Sequence, residues 1–134
     1  MNSEQFDKLK LIDHWINGSD DDYDTMIAMF EAKRYNWSLF VGHLMIEKLL
    51  KAYFVHVKED YPPFNHNLLK LASDSGLSLN DDIKLKLTTI TAFNLNTRYD
   101  DYKKSFQKRC TEEYSQEWIN NLELIRQWIK KQIK

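Results

Sequence analysis

From Asn36 to Lys58 the chain reads NWSLFVGHLMIEKLLKAYFVHVK, with no proline and with Gly42 too isolated to end a helix. Wound at about 100° per residue, Ala52, Met45, Leu49, Tyr53, Ile46, Leu39, Val57 and Leu50 fill one broad arc. A helix lying on a surface carries a narrower apolar stripe, so this stretch is predicted to be the central helix of a bundle. Opposite the arc, His43, Glu47 and Lys51 follow one another at four-residue steps with Lys48 beside them, a spacing that puts them on one face. Taken alone, Glu47 and Lys51 read as a helix-stabilising pair worth a few tenths of a kcal/mol.

The flanking segments keep the same period. Ser3 is predicted to cap a helix through Ile16, with Phe6, Leu9, Leu11, Ile12, Trp15 and Ile16 apolar and Asn17-Gly18 as its stop. Ser19 or Asp20 then opens a second helix, whose first turn holds Asp20, Asp21, Asp22 and Asp24, where carboxylates complement the helix dipole. Tyr23, Met26, Ile27 and Phe30 form its core face, and a break near Lys33–Tyr35 leads into the central helix, which ends around Lys58–Asp60. Tyr61-Pro62-Pro63-Phe64 is stiff and extended, because proline disfavours helix at the residue before it. A short helix spans about His66 to Asp74, with Ser75-Gly76 as its stop, and Asn80 caps another to about Leu95. Asn94 to Asp101 reads as a polar break. Thr111, followed by Glu112 and Glu113, opens the last helix, in which Tyr114, Trp118, Ile119, Leu122, Ile125, Trp128 and Ile129 keep a helical period. No strand-like alternation competes and no repeat is visible. The expectation is an all-α fold, one domain over residues 1–134, built as an up-and-down bundle of about five helices.

Composition narrows the class further. With 134 residues, 43% hydrophobic and 29% charged, the chain can bury a core without disulfides or a structural metal. Three glycines and two prolines are too few for the turns of a sandwich or barrel. The net charge of −1 hides an acidic start, up to Glu31, and a basic end from Lys103 onward. The two can attract each other within one chain or between copies, and the basic end can also draw polyanions, but most of these residues are read as a solvated helical surface. Cys110 stands alone, so neither a disulfide framework nor a Cys-rich metal site is expected. The N-terminus lacks the layout of a signal peptide and no apolar run approaches the ~20 residues of a membrane span, which points to the cytoplasm.

Familiar catalytic chemistry is thin. There is no phosphate-binding glycine loop and no HExxH, and His14, His43, His56 and His66 lack zinc-ligand spacing, so no metal and no cofactor is expected. Cys110 reads as incidental, and Trp15, Trp37, Trp118 and Trp128 as core or interface anchors. His66, in F-N-H-N-L-L, reads as an imidazole holding a turn by hydrogen bonds to the backbone. Arg98 either satisfies the last carbonyls of a helix or pairs with Glu47.

Four segments in order then carry a likeness: Tyr23-Asp24 in the acidic helix, I-E-K-L-L-K-A from Ile46 to Ala52, P-P-F-N-H-N-L-L from Pro62 to Leu69, and N-T-R-Y-D from Asn96 to Asp100. In these the chain resembles the HEPN domain family (higher eukaryote and prokaryote nucleotide-binding). The resemblance implies a helical bundle, often a homodimer, frequently acting with a small nucleotidyltransferase partner in toxin–antitoxin or defence systems. Many members are metal-independent endoribonucleases whose signature is Arg, four to six residues, then His. Here the positions after Arg98 carry Lys103, Lys104 and Ser105, so the signature is absent and no catalytic residue is assigned. The chain is read as a non-nucleolytic branch that binds nucleotide or phosphate. Candidate ligand residues are Arg98, Lys51 and Lys48 for phosphate, Tyr99 or Tyr102 for stacking on a base, Glu47 to orient Arg98, and His43 and His66 as replacements for the missing His. The alternatives are a divergent endoribonuclease acting on RNA, and a dimerisation bundle without a ligand.

Overall fold

A computed structural model describes residues 5–133, which fold into six α-helices. These are α1 (Lys8–Glu31), α2 (Tyr35–Lys58), α3 (Leu68–Asp74), α4 (Asp81–Arg98), α5 (Asp100–Arg109) and α6 (Glu112–Gln132). No strand occurs among the described residues. The all-α bundle stands as expected, with six helices among the described residues rather than about five. Two differences from the expected elements offset each other in number: a missing break joins the two expected N-terminal helices into one, and a stretch with no expected helix forms α5.

The missing break is at Asn17-Gly18. Glycine ends a helix by turning left-handed, as Gly76 does after α3 at φ 79°; Gly18 has no positive φ, and α1 runs through it. A Cβ at Gly18 would lie 3.3 Å from Cδ of Lys48, so the glycine makes room for the lysine stem. The acidic run therefore sits in the middle of α1, and its charges are met by other helices rather than by a helix N-terminus. Asp22 takes the Lys48 ammonium at 2.7 Å. Asp20 takes Lys130 at 2.8 Å and Arg126 at 3.2 Å, so the acidic start and the basic end do attract each other within one chain. Burial alone would raise the Asp20 carboxyl, but those two cations more than offset it and hold it below its ordinary value. Ser3, the expected cap, lies outside the described residues; Asp7 caps α1 by accepting from the Lys10 amide.

Lys33, left-handed at φ 64°, turns the chain from α1 into α2. Ser38 Oγ donates to the Met26 carbonyl at 2.8 Å and Ser19 Oγ to the Met45 carbonyl at 2.9 Å, tying the two long helices together. α2 is the central helix, touching each of the other five. Leu39, Met45, Ile46, Leu49, Leu50 and Ala52 of the predicted arc are fully buried, while Val57 is exposed at the far end. Gly42 faces α6 so closely that a Cβ there would sit 2.5 Å from Leu122 Cδ1 and 3.1 Å from Met26 Sδ. Here the small residue sets the helix approach.

α3 begins at Leu68, two residues later than expected, because Asn67 caps it by accepting from the Lys70 amide. Asn80 caps α4 and Thr111 caps α6 as anticipated, accepting from the Ile83 and Tyr114 amides. The polar stretch from Asn94 to Arg98 is the end of α4, with Asn94 and Thr97 turned inward. Only Tyr99 breaks the helix before α5, whose single buried residue is Phe106. Phe106 stacks on Phe93, which meets Trp118 edge-on, both at 5.5 Å between ring centroids. Cys110 is buried beside this cluster, and burial pushes its thiol up to about 12. It packs; it is no nucleophile at neutral pH.

Candidate functional site

The polar face of α2 is covered. His43 is 0% exposed, Glu47 6% and Lys51 7%, so three groups that water would otherwise solvate must find partners inside the fold. The Glu47 carboxylate makes two close contacts. Its Oε2 lies 3.1 Å from Lys51 Nζ, and its Oε1 accepts from Nδ1 of His66 at 2.9 Å. Lys51 is further held against the faces of Trp15 and Phe64, 4.9 and 5.5 Å from the ring centroids, where a cation meets the negative face of the ring. Glu47 and Lys51 are thus not the surface pair that their spacing alone suggests.

His66 lies in the extended segment between α2 and α3 that Pro62 and Pro63 keep out of helix. Two bonds fasten it to α2, its ring to Glu47 and its carbonyl to His43 Nε2 at 2.9 Å. The imidazole therefore holds the turn through a side-chain carboxylate rather than through backbone groups as expected, and the backbone link is the His66 carbonyl accepting from the His43 ring. A carboxylate can only accept, so Nδ1 of His66 carries the proton. Its Nε2 has no partner among the described residues, and the side chain is about half exposed at 54%.

Arg98, at the last position of α4, does not meet Glu47. Its Nε donates to Asn94 Oδ1, one turn earlier, at 2.7 Å, and no ion pair joins it to Glu47. The Asn94 amide nitrogen in turn lies 3.3 Å from His43 Nδ1. Glu47 and Arg98 are thus linked only indirectly, through Asn94 and His43. The guanidinium rests 5.5 Å from the Tyr99 ring centroid.

His66 and Arg98 line one open cleft of about 350 Å³ between the 59–67 segment and the end of α4, together with Phe64, Thr91, Asn94 and Tyr99. Thr91 anchors this wall by accepting from the Leu68 amide and donating to the Leu87 carbonyl. Phe64 is 93% exposed, an extreme value for a phenylalanine. Of the residues singled out from sequence, Arg98, Tyr99 and His66 line the cleft, while Glu47, Lys51 and His43 lie behind it. Lys48 is engaged by Asp22 on the α1 side, and Tyr102 is exposed on α5 without lining the cleft. Sequence reasoning misses Asn94 and Phe64. The four-residue step from Asn94 to Arg98 is a usable signal; the exposure of Phe64 is not legible, since an aromatic after two prolines reads equally well as core. No group of residues suited to a metal ion occurs among the described residues, and no helix there is long and apolar enough to cross a membrane.

Residues 12–132 match the family model described as the HEPN domain. Among solved structures, the crystal structure of TT1696 from Thermus thermophilus is similar, with a TM-score of 0.76 and 16% identity, covering 90% of this chain and 97% of that one. At that identity the likeness speaks for the fold alone. No curated protein matches the chain.

Proposed function

The chain belongs to the HEPN domain family, and from that membership and the geometry of the cleft we propose that it is a binding module for nucleotide or phosphate. The observation that carries this reading is that Arg98 and His66, distant in sequence, line one open cleft. The terminal nitrogens of Arg98, which have no partner among the described residues, would take two phosphate oxygens. Nε2 of His66 would supply a further contact, and Phe64 and Tyr99, both exposed, would lie against a base. Glu47 and Lys51 support this site by fixing the His66 ring rather than by touching the ligand. Calorimetric titration with ATP, GTP and CTP tests the reading. Binding that is lost in Arg98→Ala and weakened in His66→Ala is expected; no heat at millimolar nucleotide, or a response indifferent to Arg98→Ala, would overturn it. On family resemblance, the module would work as a homodimer beside a small nucleotidyltransferase in a toxin–antitoxin or defence system. Copurification of such a protein, and sedimentation of the chain as a dimer, are the corresponding checks.

One observation favours a second reading, a divergent endoribonuclease. A histidine held by a buried carboxylate, with its other nitrogen unpartnered among the described residues and an arginine in the same cleft, is the arrangement a general base and a phosphate-charge stabiliser require. His66 would then accept the proton of an RNA 2′-hydroxyl. Incubation with total RNA decides between the two: cleavage abolished by both Arg98→Ala and His66→Ala supports the enzyme, and its absence leaves the binding module.

A further inference from the structure

The hydrogen bonds behind the cleft form a chain whose direction is fixed at both ends. At one end the His66 carbonyl can only accept, so His43 Nε2 carries its proton and donates across 2.9 Å. At the other end Arg98 Nε can only donate, so the Asn94 oxygen faces it at 2.7 Å and the Asn94 NH2 faces His43. The 3.3 Å contact between that NH2 and His43 Nδ1 is favourable only if Nδ1 bears a lone pair. One arrangement satisfies all three links: neutral His43 with its proton on Nε2. The two inner members are buried, His43 at 0% and Asn94 at 6% exposure, so water cannot substitute for a lost partner.

We propose that Asn94, its amide oriented by His43, is the positioning residue for Arg98: by occupying Nε it turns the two terminal nitrogens toward the cleft, so that an oxyanion is taken end-on. This rests on the phosphate-binding reading above. It also makes the site sensitive to acid. Protonated His43 carries hydrogens on both ring nitrogens, and Nδ1–H then opposes the Asn94 NH2. Turning the Asn94 amide over relieves that clash but sets its NH2 against Arg98 Nε–H, and the arginine loses its anchor. The charged or titratable groups facing His43 are Glu47 on its own helix, with Oε1 3.9 Å from Nε2, His66 from the 59–67 segment, and Arg98 on α4. Burial, helped by His66 and Arg98, outweighs the carboxylate and the bond to the His66 carbonyl, and keeps His43 neutral to lower pH than an ordinary histidine.

The full chain, labelled with ¹⁵N, gives a readout that a merely structural role would not move. Exchange of the Arg98 Nε–H is measured relative to free arginine at the same pH, at pH 7.5 and at the lower pH where the His43 ring nitrogens, followed alongside, report double protonation. In the unaltered chain, protection at pH 7.5 should drop at least about tenfold at the acidic pH where His43 becomes doubly protonated. Asn94→Ala should lack protection at both pH values. Asn94→Asp keeps an acceptor for Arg98 and tolerates a protonated His43, so its protection should survive acid. Affinity for thymidylyl-thymidine, a phosphodiester whose own charge is constant over this range, should fall about tenfold in Asn94→Ala at pH 7.5. Wild-type protection in Asn94→Ala, or an unchanged acid step in Asn94→Asp, overturns the proposal; should Asn94→Ala fail to fold, Asn94→Asp decides it alone. Absence of thymidylyl-thymidine binding to the unaltered chain would count against the phosphate reading, whereas the exchange data still decide whether Asn94 holds Arg98.

Discussion

His43 has no exposure to water and a ring whose two nitrogens are both committed. Its burial makes the folded chain a poorer proton acceptor than the unfolded one, in which the imidazole titrates at its ordinary value of 6.5. Below that value the unfolded state holds more protons, so stability is complete above it and is lost as pH falls toward the lower value of the folded state. The urea midpoint is therefore expected to be lower at pH 5 than at pH 7.5, with His43→Gln flattening the difference. Glu47 carries a different risk. Removing it in Glu47→Ala leaves Lys51, at 7% exposure, with no anionic partner among the described residues and frees the His66 ring. A cost of about 3 kcal/mol is expected, measured by chemical denaturation, and Lys51→Met in the same chain should recover part of it.

Two glycines inside long helices make opposite predictions. At Gly42 an added methyl would meet Leu122 at 2.5 Å and Met26 at 3.1 Å from two different helices, and Gly42→Ala should cost about 1–3 kcal/mol through overpacking. At Gly18 the nearest neighbour is the flexible stem of Lys48 at 3.3 Å, so Gly18→Ala should recover some of the ~0.5–1 kcal/mol that glycine forfeits within a helix. Thermal unfolding of the two variants should shift in opposite directions. The elements legible in the sequence are those whose apolar faces declare themselves, above all α2 and α6, and those with a capping side chain, Asn80 and Thr111. Gly18 misleads because a helical glycine and a terminating one look alike until its neighbour, Lys48, is known. α5 escapes because it buries a single phenylalanine, Phe106, too little for a periodic signal. At the site, Arg98 and His66 can be nominated separately. Their meeting depends on how the segment after Pro63 folds back onto α2, and no local pattern contains that.

Across the whole molecule, charge is arranged so that α1 and α6 grip each other. Asp20 binds Arg126 and Lys130, while Tyr23 stacks under the Arg126 guanidinium at 4.0 Å and donates to Glu123. These partly exposed contacts fasten the edges of the seam whose floor is Gly42 against Leu122. Cys110, buried where α5 meets α6, reports on the integrity of that end: a thiol reagent should label it only as fast as the fold opens, and Phe106→Ala should accelerate labelling. The central place of α2 also bears on the order in which the chain acquires its structure. α1 and α2 are joined by a turn of only a few residues at Lys33, so their pairing costs little loop entropy, whereas α6 reaches α2 only after α3, α4 and α5 intervene. A folding nucleus of the α1–α2 hairpin with late docking of α6 follows. In stopped-flow experiments Met26→Ala should mainly slow folding, and Leu122→Ala should mainly hasten unfolding.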